Sequence, residues 1–423
     1  VTSLAISATQ VGGVPADILV DGNRIAAVAP HDGARVVPVG ARLVDGRGTA
    51  ALPGLMNAHT HSAMAMLRSF ADDMPLLPWL RERIWPFEAR LSEDDVYWGT
   101  RLACLEMIRT GTTFFNDMYW HFHGIARAAE DAGLRAVISS ALIDAGDAQR
   151  QAEALEQHRR LSAEVGGYPD RIRYSIGPHA IYTVSPPTLE WIARESAAHG
   201  FLVHVHLSET AGEVAACLQA HGVRPVAYLE RLGLLGPRLI AVHAVHLDDA
   251  EIALLAERGV HVVYSPTSNL KLASGGPMRY GALKAAGANV LLGTDSCASN
   301  NNLDLFEEMK FAALMAKHAS GDPTVLPAPE AIALATTNAA RAFGLDAGVL
   351  APGALADLIL VDLDSPYLFP GHHLEADLVY AAHGRAVRTT ICDGRVLMDG
   401  GAIADEPEIR AEVRARLGRL IEG

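Results

Sequence analysis

Between residues 55 and 295 the chain repeats one pattern eight times: a short apolar run, then a longer amphipathic stretch. The runs lie near 55–58 and at 112–117, 135–142, 172–179, 201–207, 239–246, 260–266 and 289–295. Helical patterns such as "EIALLAERG" (251–259) separate them. Uninterrupted apolar runs are the signature of strands buried on both faces, hence of a parallel sheet. Eight such units predict an α/β fold, a (β/α)8 TIM barrel over residues 56–345. The chain ends read differently. "ADILVDGNRIAAVAP" alternates apolar and polar residues around Asp21-Gly22-Asn23, and "VRTTICDGRVLMDG" does so around Asp393-Gly394. Both are hairpin signals. The two ends therefore predict one small composite β-sandwich, from 1–55 and 346–405, with a C-terminal helix over 406–423.

In such a barrel the active site forms at the C-terminal ends of the strands, and there the polar residues gather. His59 and His61 close the first run, Asn116 and Asp117 the second, His179 the fourth and His206 the fifth. His243 and His246 close the sixth, and Asp295 the eighth. A lone strand-end histidine is more commonly hydrogen-bonded in place than a ligand. Polar endings on six of the eight runs, all on one rim, converge by geometry. Residues two apart on a strand share a face, so His59 and His61 stand side by side. With His206 and Asp295 they make three imidazoles and a carboxylate, which suits one divalent metal with a position left for water. Zn2+ is the expected ion, and the same donors suit Fe2+, Mn2+ or Ni2+. A metal of this kind lowers the pKa of its water to about 7. Glu209, three residues after His206, is placed to shuttle a proton; by itself it would read as a solvated helix-start residue. His204 shares a face with His206 one layer deeper and reads as structural. No lysine precedes Lys271, and run four ends "SIGPHA", so the bridging lysine of two-metal barrels has no counterpart. One metal per chain is expected.

Composition narrows the partners. Lys+Arg 35 against Asp+Glu 49 gives a net charge of −14 over 423 residues, which argues against nucleic acid and anionic membrane surfaces. Cys104, Cys217, Cys297 and Cys392 form no C-x-x-C and read as free thiols of a reducing, cytoplasmic compartment. Neither a signal peptide nor an apolar run of membrane-spanning length is evident. Homo-oligomers are compatible with all of this.

The ordered set of motifs resembles the amidohydrolase superfamily, and within it the 5'-methylthioadenosine/S-adenosylhomocysteine deaminase group, which includes 5'-deoxyadenosine deaminases and is related to triazine hydrolases. The motifs are "PGLMNAHTHSAMAMLRSFADD", "WL" (79–80), "IWPFEARL" (84–91), "GPHAIYTVS" (177–185), "HVHLSETAGEV" (204–214), "AVHAVHL" (241–247), "SNLKLASG" (268–275) and "GTDSCASNNNLDLFEEM" (293–309). The resemblance implies hydrolytic deamination at C6 of adenine in adenosine-type nucleosides, giving the inosine analogue and ammonia. It implies that His59, His61, His206 and Asp295 hold the metal and that Glu209 protonates the purine ring nitrogen. His243 would orient the attacking water, and Asp295 would take its proton. Trp79, Glu88 and His179 would contact base and ribose, with Glu88 accepting from the sugar hydroxyls. The other zinc-deaminase pattern, H-x-E with P-C-x-x-C, is absent.

Two positions depart from that group. Members that bind the homocysteine carboxylate place an arginine at the end of run three, where this chain reads "VISSALID" with Ser139 and Ser140. Arg150 is the nearest substitute. Weaker use of S-adenosylhomocysteine than of 5'-methylthioadenosine, 5'-deoxyadenosine or adenosine is the expectation. Ser296 stands where many relatives have glycine after the metal aspartate. The competing readings are a triazine- or guanine-type hydrolase on the same scaffold and, in another class, a non-catalytic scaffold protein; the complete donor set argues against the latter.

Overall fold

The computed structural model describes residues 3–33 and 39–422. Residues 1–2, 34–38 and 423 of the expected spans lie outside the described residues. Five strands come first: β1 (Leu4–Val11), β2 (Val14–Asp21), β3 (Arg24–Pro30), β4 (Arg42–Asp45) and β5 (Thr49–Pro53). The barrel strands follow: β6 (Leu55–Thr60), β7 (Thr112–Tyr119), β8 (Arg135–Leu142), β9 (Ile172–Pro178), β10 (Val203–Leu207), β11 (Leu239–His243), β12 (His261–Tyr264) and β13 (Asn289–Leu292). Each coincides with one of the eight apolar runs. β14 (Leu358–Asp362), β15 (Val387–Cys392) and β16 (Arg395–Met398) complete the chain's strands, and a helix over Glu406–Glu422 ends it.

The end strands form one sheet in the order β16-β15-β14-β5-β1-β2-β3, with β4 beside β1. Its core gathers Leu4, Ile6, Ile18 and Val20 from one chain end with Leu358, Leu360 and Ile391 from the other. The two hairpins read from sequence meet each other. Gly394 has φ +70°, and a Cβ there would lie 2.0 Å from the Gly22 carbonyl oxygen, so only glycine fits that turn. Asn23 Nδ2 also donates to Asp393 Oδ1 at 3.2 Å.

The second sheet runs β6 to β13 in sequence order, each pair parallel. Closure between last and first strands uses single contacts rather than a ladder. Asp295 N donates to the His59 carbonyl at 3.0 Å. Asn57 Nδ2 donates to Thr294 Oγ1 at 2.7 Å, while Thr294 N returns a bond to Asn57 Oδ1 at 3.1 Å. A Cβ on Gly293 would lie 2.8 Å from the His59 backbone, which excludes any larger residue at the seam. The interior is layered. Met56, Phe114, Val137, Val242, Val263 and Leu291 form one apolar cluster with Phe343. Two residues further along their strands, Asn116 and Ser139 contact His204, and Ser139 also bonds Ser175. The histidine and aspartate cluster lies above that polar layer. Phe115, Val205, Ala241 and Val262, at alternate positions, join the apolar residues of the surrounding helices.

Charged contacts tie the parts together. On β8, Arg135 is buried and bonds Asp357 through Nε (2.9 Å) and Nη2 (3.1 Å), with a third bond to Asp393 Oδ1 at 2.9 Å. The final helix packs on the helix Glu93–Arg109, where Arg416 and Arg419 meet Asp94 and Asp95 and Arg101 meets Asp405. The four cysteines are buried and free. Among the described residues, no helix is long and apolar enough to cross a membrane.

The Arg135 pair sets a stability expectation. Removing one partner of a buried, bidentate ion pair leaves the other charge stranded, at a cost of roughly 3–5 kcal/mol. Arg135→Ala should therefore lower stability by about that amount in denaturant unfolding. Combining it with Asp357→Ala should cost clearly less than the sum of the single changes.

Candidate active site

Barrel closure brings the strand ends within bonding range. Nε2 of His59 and Nε2 of His61 each lie 3.3 Å from Asp295 Oδ1. The rings of His59 and His206 are 5.0 Å apart, those of His61 and His206 5.4 Å, and those of His206 and His243 5.3 Å. Two overlapping triads of candidate donor atoms result, His59–His61–Asp295 and His59–His206–His243, both within 4.8 Å internally. His243 thus stands closer to the donor cluster than the sequence suggested. His59 Nε2 is buried and has no hydrogen-bond partner. An orphaned imidazole nitrogen facing a carboxylate and further imidazoles is the environment a divalent cation fills.

Each ring is held from behind. Nδ1 of His61 bonds the Met118 carbonyl at 2.5 Å, and Nδ1 of His206 bonds the His179 carbonyl at 2.8 Å. Donation from Nδ1 favours the tautomer whose Nε2 is free to face a cation at the centre. His59 Nδ1 meets His204 Nε2 at 3.0 Å, and His204 rests on Asn116 and Ser139, which confirms it as a supporting residue. Asp295 Oδ2 accepts from Ser268 Oγ at 2.6 Å, and Oδ1 from its neighbour's amide, Ser296 N, at 2.8 Å. Ser296 therefore uses its backbone to hold the aspartate, while its hydroxyl bonds Ser299 at 3.0 Å. Asn269 meets His243 Nδ1 at 3.1 Å. His243 and Asp295 both have left-handed backbones, φ 72° and 58°, as does Ser208, φ 50°. Strain of this kind concentrates at functional sites.

Burial and charge set the protonation states. Burial pushes Glu209 above the ordinary carboxylate range, and only partly do His243 and His61 offset this. Its Oε2 lies 3.7 Å from His243 Nε2. Asp295 is held well below that range: burial opposes its charge, but the adjacent imidazoles of His59 and His61 outweigh it. Burial also takes His179 down to about 3, so its ring is neutral. Glu209 itself is fixed by Glu213, whose buried carboxylate accepts from Ser208 N (2.8 Å) and Glu209 N (2.9 Å).

These residues open onto a pocket walled by Trp79, Leu80, Ile84, Trp85, Glu88, Tyr119, Trp120, His179 and Tyr182. After His61 the chain forms a 3-10 turn at Ser62–Leu67 and, beyond the irregular stretch containing Asp72, Asp73 and Pro75, helical turns at Leu76–Trp79, a π turn at Leu80–Ile84, and Trp85–Glu88. The widened turn swings Trp79, Ile84 and Glu88 to the same side. Trp79 gives its indole N–H to the Ala71 carbonyl at 2.8 Å and so offers the pocket a ring face. Arg150 is not in this pocket. It lies exposed on the helix Ala148–Glu164 and lines, with Arg160, an outer cavity of about 930 Å³. Trp85, Glu88, Trp120, Ile143 and Tyr182 line both spaces. Ser139 and Ser140 are also outside the pocket; Ala141 and Ile143 face it from the end of β8. The strand alternation turns Ser139 inward to His204, below the site. Sequence reading missed Tyr119, Glu213, Ser268 and Asn269. Of these, Glu213, Ser268 and Asn269 fall within recognisable motifs, but only the fold shows what they touch.

The Amidohydrolase family model matches residues 50–397, well over half the chain. The chain belongs to the amidohydrolase family. This amidohydrolase is 54% identical over 380 residues to the 5'-deoxyadenosine deaminase of Methanoregula boonei, covering 90% of this chain and 86% of that protein. It is 46% identical to the 5-methylthioadenosine/S-adenosylhomocysteine deaminase 1 of Archaeoglobus fulgidus, over 95% and 93% of the two chains. A crystal structure of an adenosine deaminase from Xanthomonas campestris with bound zinc superposes with a TM-score of 0.92 at 38% identity, covering 100% and 99%. An atrazine chlorohydrolase from Arthrobacter aurescens complexed with zinc shares the fold at 23% identity, with a TM-score of 0.88 over 98% and 100%. The His/Asp cluster of this amidohydrolase is suited to hold a divalent metal.

The Ser268 hydroxyl gives this site a test. Outer hydrogen bonds to metal-site carboxylates are worth roughly 10–100-fold in metal affinity. Ser268→Ala should lose its metal at a correspondingly lower chelator concentration, measured by metal analysis after dialysis against a chelator series. Far-UV circular dichroism should be unchanged.

Proposed function

We propose that this amidohydrolase deaminates the adenine ring of adenosine-type nucleosides at C6, releasing ammonia and the inosine analogue. The observation that carries the reading is Glu209: a buried carboxyl group with raised proton affinity, 3.7 Å from His243, facing an aromatic pocket beside the His/Asp cluster. Relatives at 46–54% identity named for 5'-deoxyadenosine and 5-methylthioadenosine/S-adenosylhomocysteine support it. The likeness to triazine enzymes at 23% identity shows the fold alone.

His59, His61, His206 and Asp295 would hold one divalent metal per chain, with Zn2+ the first choice. When bound, it supplies Lewis acidity, drawing the pKa of a coordinated water toward neutrality. Asp295, ionised and anchored by Ser268, accepts the proton of the attacking water. His243, held at Nδ1 by Asn269, orients that water through Nε2. Glu209, its proton affinity raised by burial, delivers a proton to the ring nitrogen beside C6. Asp295 passes the proton taken from water to the amino group, which departs as ammonia, and the new hydroxyl's proton returns to Glu209 as the C6 carbonyl forms. Trp79 offers a ring face to the base, and neutral His179 a hydrogen bond. Glu88, on the border of the two cavities, accepts from the sugar. The 5' group then extends toward the outer cavity, where Arg150 and Arg160 are the cations at hand.

Ammonia release from a panel of 5'-substituted adenosines tests the reading. Glu209→Gln should retain its metal and lose roughly 10²-fold or more in turnover, the scale of a positioned proton donor. Normal turnover by E209Q would refute the assignment. On the 5' side, apolar Ala141 at the end of β8 and Ile143 just beyond it face the inner pocket, so a bidentate arginine–carboxylate bond is missing there. Such a bond is worth roughly 1.5–3 kcal/mol, about one to two powers of ten. The value of kcat/KM should therefore be higher for 5'-methylthioadenosine than for S-adenosylhomocysteine. Arg150→Ala should lower only the latter. A wild-type preference for S-adenosylhomocysteine that survives Arg150→Ala would overturn this argument.

A further inference from the structure

The Tyr119 side chain has no part in the chemistry described so far. It ends β7, directly after Met118, whose carbonyl holds His61. The residue is 2% exposed, lines the pocket, and its hydroxyl has no hydrogen-bond partner in the protein. Buried hydroxyls are nearly always satisfied, so one left open at a pocket wall points to a ligand atom. Its polar neighbour is the Glu88 carboxylate. Burial first, and the nearby Glu88 carboxyl group second, hold the phenol protonated, and no hydrogen bond of ordinary geometry engages its hydroxyl. Burial raises the proton affinity of Glu88, and Tyr119, His61 and Trp120 partly oppose that rise.

A carboxyl oxygen of Glu88 accepts hydrogen bonds, and a protonated phenol beside it has one to donate. A hydroxyl group does both. A donor and an acceptor side by side, not spent on each other, therefore form a receptor for one hydroxyl. We propose that Tyr119 and Glu88 together clamp a hydroxyl of the nucleoside's sugar, Tyr119 donating to its oxygen and Glu88 accepting its proton. Tyr119 is thus a specificity residue for ribose over deoxyribose. The assignment deepens the nucleoside reading above and rests on it.

The test is Tyr119→Phe, which removes one oxygen and keeps the ring. Wild type and variant are compared on adenosine, 2'-deoxyadenosine and 3'-deoxyadenosine, with Glu88→Gln completing a double-mutant cycle and metal content checked throughout. Y119F should lose about tenfold in kcat/KM on adenosine, the scale of one hydrogen bond. It should lose little on the deoxynucleoside that lacks the bridging hydroxyl, and its loss should not add to that of E88Q. Equal losses on all three substrates would mean a packing role and overturn the clamp, as would no loss at all. Equilibrium binding of inosine and 2',3'-dideoxyinosine reads the clamp without turnover. A wild-type protein that released no ammonia from any adenosine would refute the deaminase reading, while the binding difference, abolished or not by Y119F, would still decide the clamp.

Discussion

The bond from Asp295 N to the His59 carbonyl, 3.0 Å long, is the constraint on which the site depends. It joins the end of the eighth strand to the first where no regular ladder does. The same two residues place a carboxylate and an imidazole 3.3 Å apart at the centre of the rim. Asn57, Thr294 and the missing side chain at Gly293 let the backbones approach that closely. Closure of the fold and assembly of the donor cluster are one event. A side chain at 293 would open the barrel and separate the ligands together.

Above that seam the site is arranged by desolvation. Two carboxyl groups lie in one buried pocket with opposite tendencies. Asp295 is surrounded by donors and stays ionised, whereas Glu209 has few and is driven toward its neutral form. Hydrolytic deamination needs both a group that takes a proton from water and one that gives a proton to the ring. Environments that push two titratable groups apart supply that pair without different residue types. Backbone carbonyls of Met118 and His179 fix the imidazoles, so the tautomers are set by main chain that the barrel has already made rigid.

The pocket is built in two stages. Strand ends form its floor, and the helical segment after His61 forms one wall. Glu88 sits where the inner pocket meets the outer cavity. In the proposed reaction, chemistry is confined to the floor, while recognition of what lies beyond the base falls to side chains on the wall and in the vestibule. A division of this kind allows relatives on one scaffold to differ in the group they accept while keeping the floor unchanged.

Much of this was legible in the chain itself. Eight buried apolar runs fix a parallel barrel, because strands covered on both faces leave no polar alternation. The rim rule then singles out His59, His61, His206 and Asp295. Hairpins at Asp21–Asn23 and Asp393–Gly394 announced themselves by turn chemistry. Sequence could not show that these two turns touch, since a contact across some 370 residues has no local signal. Nor could it show that residues 76–88 form a helix broken by a π turn, because the irregular turn interrupts the 3.6-residue period. Ser139 and Ala141 are two apart on β8, yet one bonds His204 below the site and the other lines the pocket. Depth along a strand depends on how far each strand is staggered around the barrel. Tyr119 looked like one more apolar strand residue; its open hydroxyl beside Glu88 exists only once β7 and the wall segment are packed together. Residue types and their period determined the fold and which polar residues gather at its rim, while tertiary packing decided how deep each lies and which of them remain unpaired.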